Sequence, residues 1–198
     1  MHQMEEELTD VEESLLLDLN HVAVSQRGAA WREWVRKVHH GLTVTELAED
    51  APVCGQIRRE PLGDAQLLQM QVPRTRLFGD ASAASSTNRI LVVLLVQEGA
   101  ARLRHAGHES WLNAGQLCVI DAAQELEYST HSCRLTTLHL PSSWALHRHP
   151  SLLQAVGRVV DARVDAGVRL FVSTLGQAQL LLPQLDAAQR SNVLNALV

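Results

Sequence analysis

The chain has 198 residues, a formal net charge of -5 and a hydrophobic share of 46%. That size and apolar content allow one domain, or one domain with an appendage, around a sizeable core. The acidic balance argues against a free-standing nucleic-acid binder, which would carry a basic patch or stripe.

The strongest basic cluster, Arg32, Arg36 and Lys37, reads as a solvated helix face. Cys54, Cys118 and Cys133 are odd in number, far apart and without a C-x-x-C pair. They read as small buried apolar residues in a reducing cytoplasm, not as a disulfide framework or a zinc knuckle. The acidic N-terminus lacks the apolar core of a signal peptide. The longest apolar run, Ile90 to Val96, is too short to cross a bilayer.

Residues 1–26 form an acidic segment. Thr9-Asp10-Val11-Glu12 resembles a capping box, and Leu8, Val11, Leu15, Leu19 and Val22 follow at helical spacing. The segment is either an amphipathic helix docked on the body or on a partner, or a frayed arm. The spacing predicts a second helix over 30–40, with Trp31, Trp34, Val35 and Val38 on its packed face and Gly41 after it.

From about 53 to 140 the pattern changes to short apolar runs divided by turn signals. The predicted strands are Val53 to Arg59, Ala65 to Val72, Arg74 to Phe78, Ile90 to Gln97 and Ala100 to His105. His108 to Leu112, Gln116 to Asp121, Glu125 to Thr130 and Arg134 to Leu140 follow. Pro61 is read as the stop of the first strand, Gly79 to Asn88 as an exposed loop, and Ala106-Gly107 as a two-residue hairpin turn. Ile90 to Gln97 is apolar throughout, as in a strand buried on both faces. Strands spaced near ten residues apart indicate a sandwich or barrel.

After Pro141, Ser142 to Arg148 reads as a short helix. From Leu152 to about Gly176, apolar residues return at helical spacing, and Pro183 reads as the first turn of a last helix. That helix has no stop signal, so the chain is expected to continue in a longer natural protein.

Trp31-Arg32-Glu33-Trp34 leads a helix. Gly55-Gln56-Ile57, Leu62-Gly63-Asp64 and Val72-Pro73-Arg74-Thr75 follow, then Gln97-Glu98-Gly99 and Gly107-His108-Glu109. Ala114-Gly115-Gln116-Leu117, Val119-Ile120-Asp121 and Leu138-His139-Leu140-Pro141 close the series. In this order and spacing the chain resembles the N-terminal effector-binding and dimerisation domain of AraC/XylS-type transcription regulators. The resemblance covers residues 27–150 well and the helical tail more loosely. It implies a mainly β protein with flanking helices: a cupin-like barrel of jelly-roll type over 27–150 that holds a small organic effector. It also implies a helical dimerisation segment over 151–198. DNA recognition would fall to a C-terminal helix-turn-helix unit, and no stretch of this chain reads as one.

Chemistry inside the barrel is not expected. Metal cupins hold their ion with His-x-His, a Glu and a further His. Here His105 and His108 straddle a turn, which suits solvent exposure, and Asn113-Ala114-Gly115-Gln116 brings no ligand. His147 and His149 have the spacing but lie beyond the last strand, where a surface pair fits, and His39-His40 fits a helix end. No nucleophile elbow, phosphate loop or close carboxylate pair is present, and Asp121 and Glu125 read as solvated turn residues. No metal or other cofactor is therefore expected, and the chain reads as a binder, not an enzyme.

Arg74 and Arg76 share one face of a short strand. If that face lines the cavity, they suit the carboxylate of an organic acid; otherwise they lie on the rim or outer face. Arg58 alternates with Gln56 and Glu60 and reads as outer-face. Trp111 and Tyr128 either stack on a planar effector or simply pack. Leu153, Val156, Val160 and Val164 follow a three-or-four spacing suited to a homodimer, or to packing on the chain's own barrel. A metal-dependent cupin enzyme and a structural dimerisation module with a filled barrel remain the alternatives.

Overall fold

The computed structural model describes residues 14–39, 41–48, 53–80 and 89–197. In chain order the strands are β1 (Leu15–Asp18), β2 (Leu42–Leu47), β3 (Gln56–Leu62), β4 (Ala65–Val72), β5 (Thr75–Gly79) and β6 (Ile90–Glu98). They continue with β7 (Ala100–His105), β8 (His108–Asn113), β9 (Gln116–Asp121), β10 (Leu126–Thr130), β11 (Cys133–Pro141) and β12 (Val159–Asp161). The α-helices are α1 (Arg27–Val38), α2 (Ser142–Arg148), α3 (Leu152–Ala155), α4 (Ala166–Leu181) and α5 (Ala187–Leu197).

The strands form a seven-stranded sheet, β1-β3-β4-β11-β6-β9-β12, facing a five-stranded sheet, β2-β5-β10-β7-β8. The strand pairs are antiparallel. The sheets pack face to face without closing into a continuous barrel.

Two cores explain why the sheets differ in sequence. The first lies between the sheets and joins Leu94, Val96, Ile57 and Leu135 to Leu77, Leu103, Leu112 and Tyr128. The second lies on the outer face of the large sheet. There Leu91, Leu95, Leu138 and Leu140 pack against Leu175, Ala178, Leu182, Leu194 and Leu197 of the C-terminal helices. Strand β6 therefore needs apolar residues on both faces, as its unbroken apolar run indicates. The small sheet has one wet face, so its strands alternate: Leu103 is buried while Arg102 and Arg104 are exposed. Truncating a side chain as enclosed as Leu175, 1% exposed, is worth about 2–5 kcal/mol.

Helix α1 buries Trp31, Val35 and Val38 in the inter-sheet core, as its apolar stripe indicates. A Cβ on Gly55 would fall 2.9 Å from the Trp31 ring, so this crossing requires glycine. At the β7–β8 turn, Ala106 and Gly107 both have positive φ, 51° and 76°, the form a two-residue hairpin demands.

Several expectations change. Leu15–Asp18 is a strand paired with β3, where a helix or a frayed arm was expected; Leu8 and Val11 lie outside the described residues. Strand β3 runs through Pro61 to Leu62; its pairing with β1 extends only to Arg59, so the missing proline N–H costs no ladder bond on that side. Strand β2 has no counterpart among the predicted strands. The helix expected from Leu152 to Gly176 is broken into α3, β12 and α4. Val159–Asp161 pairs with β9, and the Asp165 side chain then caps α4 by accepting from the Val168 amide at 3.0 Å. Pro183 lies in a single 3-10 turn, and α5 starts only after a reciprocal cap between Asp186 and Gln189. Cys118 and Cys133 are buried, but Cys54 is exposed. No helix among the described residues is long and apolar enough to cross a membrane.

Candidate functional site

Strand alternation decides where each candidate side chain points. On β5, Thr75, Leu77 and Gly79 are buried, so Arg76 projects from the outer face of the small sheet. It is held there by Glu46 at 2.8 Å and Glu127 at 3.0 Å. The hydrogen bond and charge of Glu46, with the charge of Glu127, hold the guanidinium pKa above its ordinary value. Arg74 lies in the preceding turn and is exposed. The two arginines do share a side, but it is the solvent side. Both line an open depression of about 430 Å3, with Glu46, Leu47, Thr75, Thr130 and His131.

Trp111 and Tyr128 lie on opposite faces of the small sheet. Trp111 pairs across Arg102 with Ser129, the neighbour of Tyr128, and is 53% exposed with its ring tilted 6.3 Å from that of His131. Tyr128 is buried in the inter-sheet core. They cannot flank one planar ligand. Burial, with Cys133 beside it, pushes the Tyr128 phenol well above its ordinary pKa. Among the described residues, its Oη and the Trp31 Nε1 are buried without an oxygen or nitrogen hydrogen-bond partner.

The proposed dimer residues do not form one helical stripe. Leu153 is on α3, Val160 on β12 and Val164 in the turn before α4, at 43, 37 and 85% exposed. Val156 is 8% exposed and bridges Val119.

The turn residues are structural. His105 is 2% exposed, contrary to the solvated reading. Its Nε2 accepts the Asp121 amide at 3.0 Å, so the proton sits on Nδ1, which donates to the Glu125 carbonyl at 2.9 Å. Asp121 is fully buried, also contrary to expectation. Its carboxylate accepts from Arg89 Nε at 3.0 Å, Gln124 Nε2 at 2.9 Å and the Ala123 amide at 3.1 Å. Burial alone would raise this carboxyl, but those bonds and the Arg89 charge prevail and hold it below the ordinary carboxylate value. Among the described residues, no three His, Cys, Asp or Glu side chains converge as a metal site requires.

The polar groups that do face inward were missed by the sequence reading. On the inner face of the large sheet, Arg59 and Thr137 share the β4 partner Leu68, and the next row runs Pro61, Gln66, His139, Val92 and Ile120. Arg59 is 7%, Thr137 2% and His139 9% exposed. Thr137 Oγ1 lies 3.1 Å from His139 Nε2. The His39 ring, at the end of α1, lies 5.2 Å from that of His139, and its Nε2 is 3.3 Å from Met70 Sδ. The same inner face is sealed further down by Leu135, Val96 and Cys133 but half-open in the row of Gln66 and Val92. Val92 faces the interior and is only partly buried. The signal was present: if Arg58 alternates outward with Gln56 and Glu60, Arg59 must point in.

The description "AraC-binding-like domain" belongs to the family model that matches residues 31–198. No curated protein sequence matches the chain. Among solved structures, the AraC-like transcriptional activator CuxR superposes with a TM-score of 0.80 at 12% identity, over 93% of this chain and 67% of that one. An HTH_3 family transcriptional regulator from Vibrio cholerae gives a TM-score of 0.37 at 10% identity, over 43% of this chain and 49% of that one. A putative ethanolamine utilization protein from Salmonella typhimurium gives 0.35 at 17% identity, over 50% of this chain and 79% of that one. Only the first shares enough of the fold to compare the whole architecture. With the family model spanning the inter-sheet core and the helices behind it, the chain belongs to the AraC-binding-like domain family.

Proposed function

We propose that this chain is the effector-sensing and self-associating part of an AraC-type transcription regulator acting in the cytoplasm, and that it is not an enzyme. A small organic effector enters between the sheets at their open end. DNA contact falls to a helix-turn-helix unit outside this chain. The observation that carries the reading is the set of inward polar side chains, Arg59, Gln66, Thr137 and His139, beside the partly buried inward Val92. Ligand sites typically combine apolar walls with a few convergent polar groups. A thermal-shift screen of small organic molecules tests it. Stabilisation of the wild type that is lost in Val92→Trp, which fills the opening, is expected; a screen in which nothing stabilises the chain overturns it.

Self-association is assigned to α4. Leu170 and Leu181, 69 and 49% exposed, are three helical turns apart and so share a face, with Leu180 beside them at 69%. Val164, 85% exposed, lies in the turn that leads into α4. Light scattering tests it: a homodimer is expected, and a monomer at tens of micromolar contradicts it.

The outer depression is a second place for an organic acid, favoured only by the fact that Arg74 and Arg76 both line it. Arg76 already spends its guanidinium on two carboxylates.

A further inference from the structure

We propose that Glu60 is a shared latch: its one buried carboxylate holds both the start of β1, through Ser14, and the last helix, α5, through Arg190, so that loosening either end loosens the other. Glu60 is 6% exposed and belongs to β3. Ser14, the residue before β1, donates its hydroxyl to the Glu60 Oε2. Arg190 Nη1 lies 3.5 Å from the same oxygen. The other oxygen, Oε1, is 4.0 Å from Nε of the half-exposed Arg58. Residues from the two ends of the described chain thus meet at one carboxylate oxygen.

Each end is a light element. Strand β1 has four residues, sits at the edge of the large sheet and pairs with β3 alone. Helix α5 buries Leu194 and Leu197 and passes close to Gly63, where a Cβ would fall 3.1 Å from the Ser191 Cα. A contact to a buried carboxylate therefore matters to both. When α5 lifts, the Arg190 charge leaves with it, and a buried carboxylate deprived of its cation is costly. Glu60 then relaxes toward Arg58 and solvent, and Ser14 loses its acceptor. When β1 leaves, water reaches Glu60, the local dielectric rises and the pull on Arg190 weakens. Such coupling is reciprocal by necessity. The latch needs no ligand, and only its use rests on the effector reading. Leu15 and Leu17 of β1 pack against the inter-sheet core, so an effector that shifts β1 changes how firmly α5 is held.

The test is hydrogen exchange of the whole chain, without ligand, read by mass spectrometry. Arg190→Ala is expected to speed exchange over Leu15–Asp18 by at least about fivefold, the lower end of coupling between sites. It does so although the bonds of Arg190 run to Glu60, Pro61, Leu182 and Leu185 and not to β1. Ser14→Ala is expected to speed exchange over Ala187–Leu197 to a similar degree. In Glu60→Ala both segments exchange faster, and adding Arg190→Ala no longer changes β1, nor Ser14→Ala α5. Strands β7 and β8 of the small sheet serve as the reference and change by less than about twofold, as a local opening requires. If Glu60→Ala or Arg190→Ala does not fold, Ser14→Ala, at an exposed residue, decides through the exchange of α5. An end that ignores the other's variant overturns the latch. So do cross-effects that persist in Glu60→Ala, or exchange that rises equally over β7 and β8. Each of these leaves the effector reading standing, whereas an empty thermal-shift screen removes that reading and leaves the latch.

Discussion

Arg190 of α5 reaches the buried Glu60 of β3, its Nη1 lying 3.5 Å from the carboxylate Oε2. The same guanidinium donates to the carbonyls of Pro61 at 3.0 Å, Leu182 at 2.9 Å and Leu185 at 3.1 Å. One side chain thus ties the last helix, the turn before it and the strand that carries Arg59 on its other face. Glu60 and Arg59 are adjacent, so the two faces of β3 connect the proposed site to the C-terminal helix.

Arg190→Ala should cost about 1–3 kcal/mol, because it leaves a buried carboxylate and three carbonyls with fewer partners. Hydrogen exchange should rise over Ala187–Leu197 and less over the inter-sheet core. Unchanged exchange in α5 contradicts the role given to this contact.

The Arg89–Asp121 pair gives a pH signature. The folded Asp121 carboxyl lies below its ordinary value of 3.8, so the folded state binds fewer protons than the unfolded one in the acid range. The pair's stabilisation is therefore present above that value and is lost as pH falls through the lower, folded one. Arg89→Ala should cost about 2–4 kcal/mol near neutral pH. The gap to wild type should narrow as urea unfolding is repeated at successively lower pH below 3.8. A gap that stays constant with pH contradicts this.

Tyr128 makes the opposite case. Among the described residues its buried hydroxyl meets no oxygen or nitrogen partner, only the weakly bonding Cys133 thiol beside it. Tyr128→Phe should leave stability unchanged within about 1 kcal/mol or raise it. A loss well beyond that in urea denaturation would reveal a partner for the hydroxyl.

Leu181→Glu should convert a dimer to a monomer while leaving the melting temperature of the fold nearly unchanged, since the side chain is exposed. Val156→Glu should instead damage the fold, because Val156 is buried against the large sheet. Sedimentation velocity and thermal melts separate the two. A dimer that survives Leu181→Glu moves the interface elsewhere.

The strands of the central region were readable because turn residues such as Ala106-Gly107 and Asn113-Ala114-Gly115 punctuate them. Ala65–Val72, Ala100–His105 and Gln116–Asp121 match the predicted bounds. Leu15–Asp18 was not readable, because a four-residue edge strand has too few residues to show a period of two, and its leucines also fit a helical repeat. The break at Val159–Asp161 failed for a related reason. Apolar residues three and four apart arise by chance when a short helix, a bridge and a short strand follow one another. Which way Arg76 points stayed open in the sequence, because alternation within β5 shows which residues share a face but not which face is inside. Arg59 sat beside residues already read as outward, and the same alternation places it inside. His105 and Asp121 looked solvated because a hairpin turn hides what a distant loop, here Arg89, brings to it.

The most direct measurement is a methyl and histidine-ring NMR titration of the whole chain with a ligand identified by the thermal-shift screen. Shifts centred on Val92, Thr137, His139 and Ile120, with His39 following through its ring contact, are expected. Shifts centred instead on Thr75, Thr130, His131 and Trp111, or no shifts in either region, would contradict an effector site between the sheets.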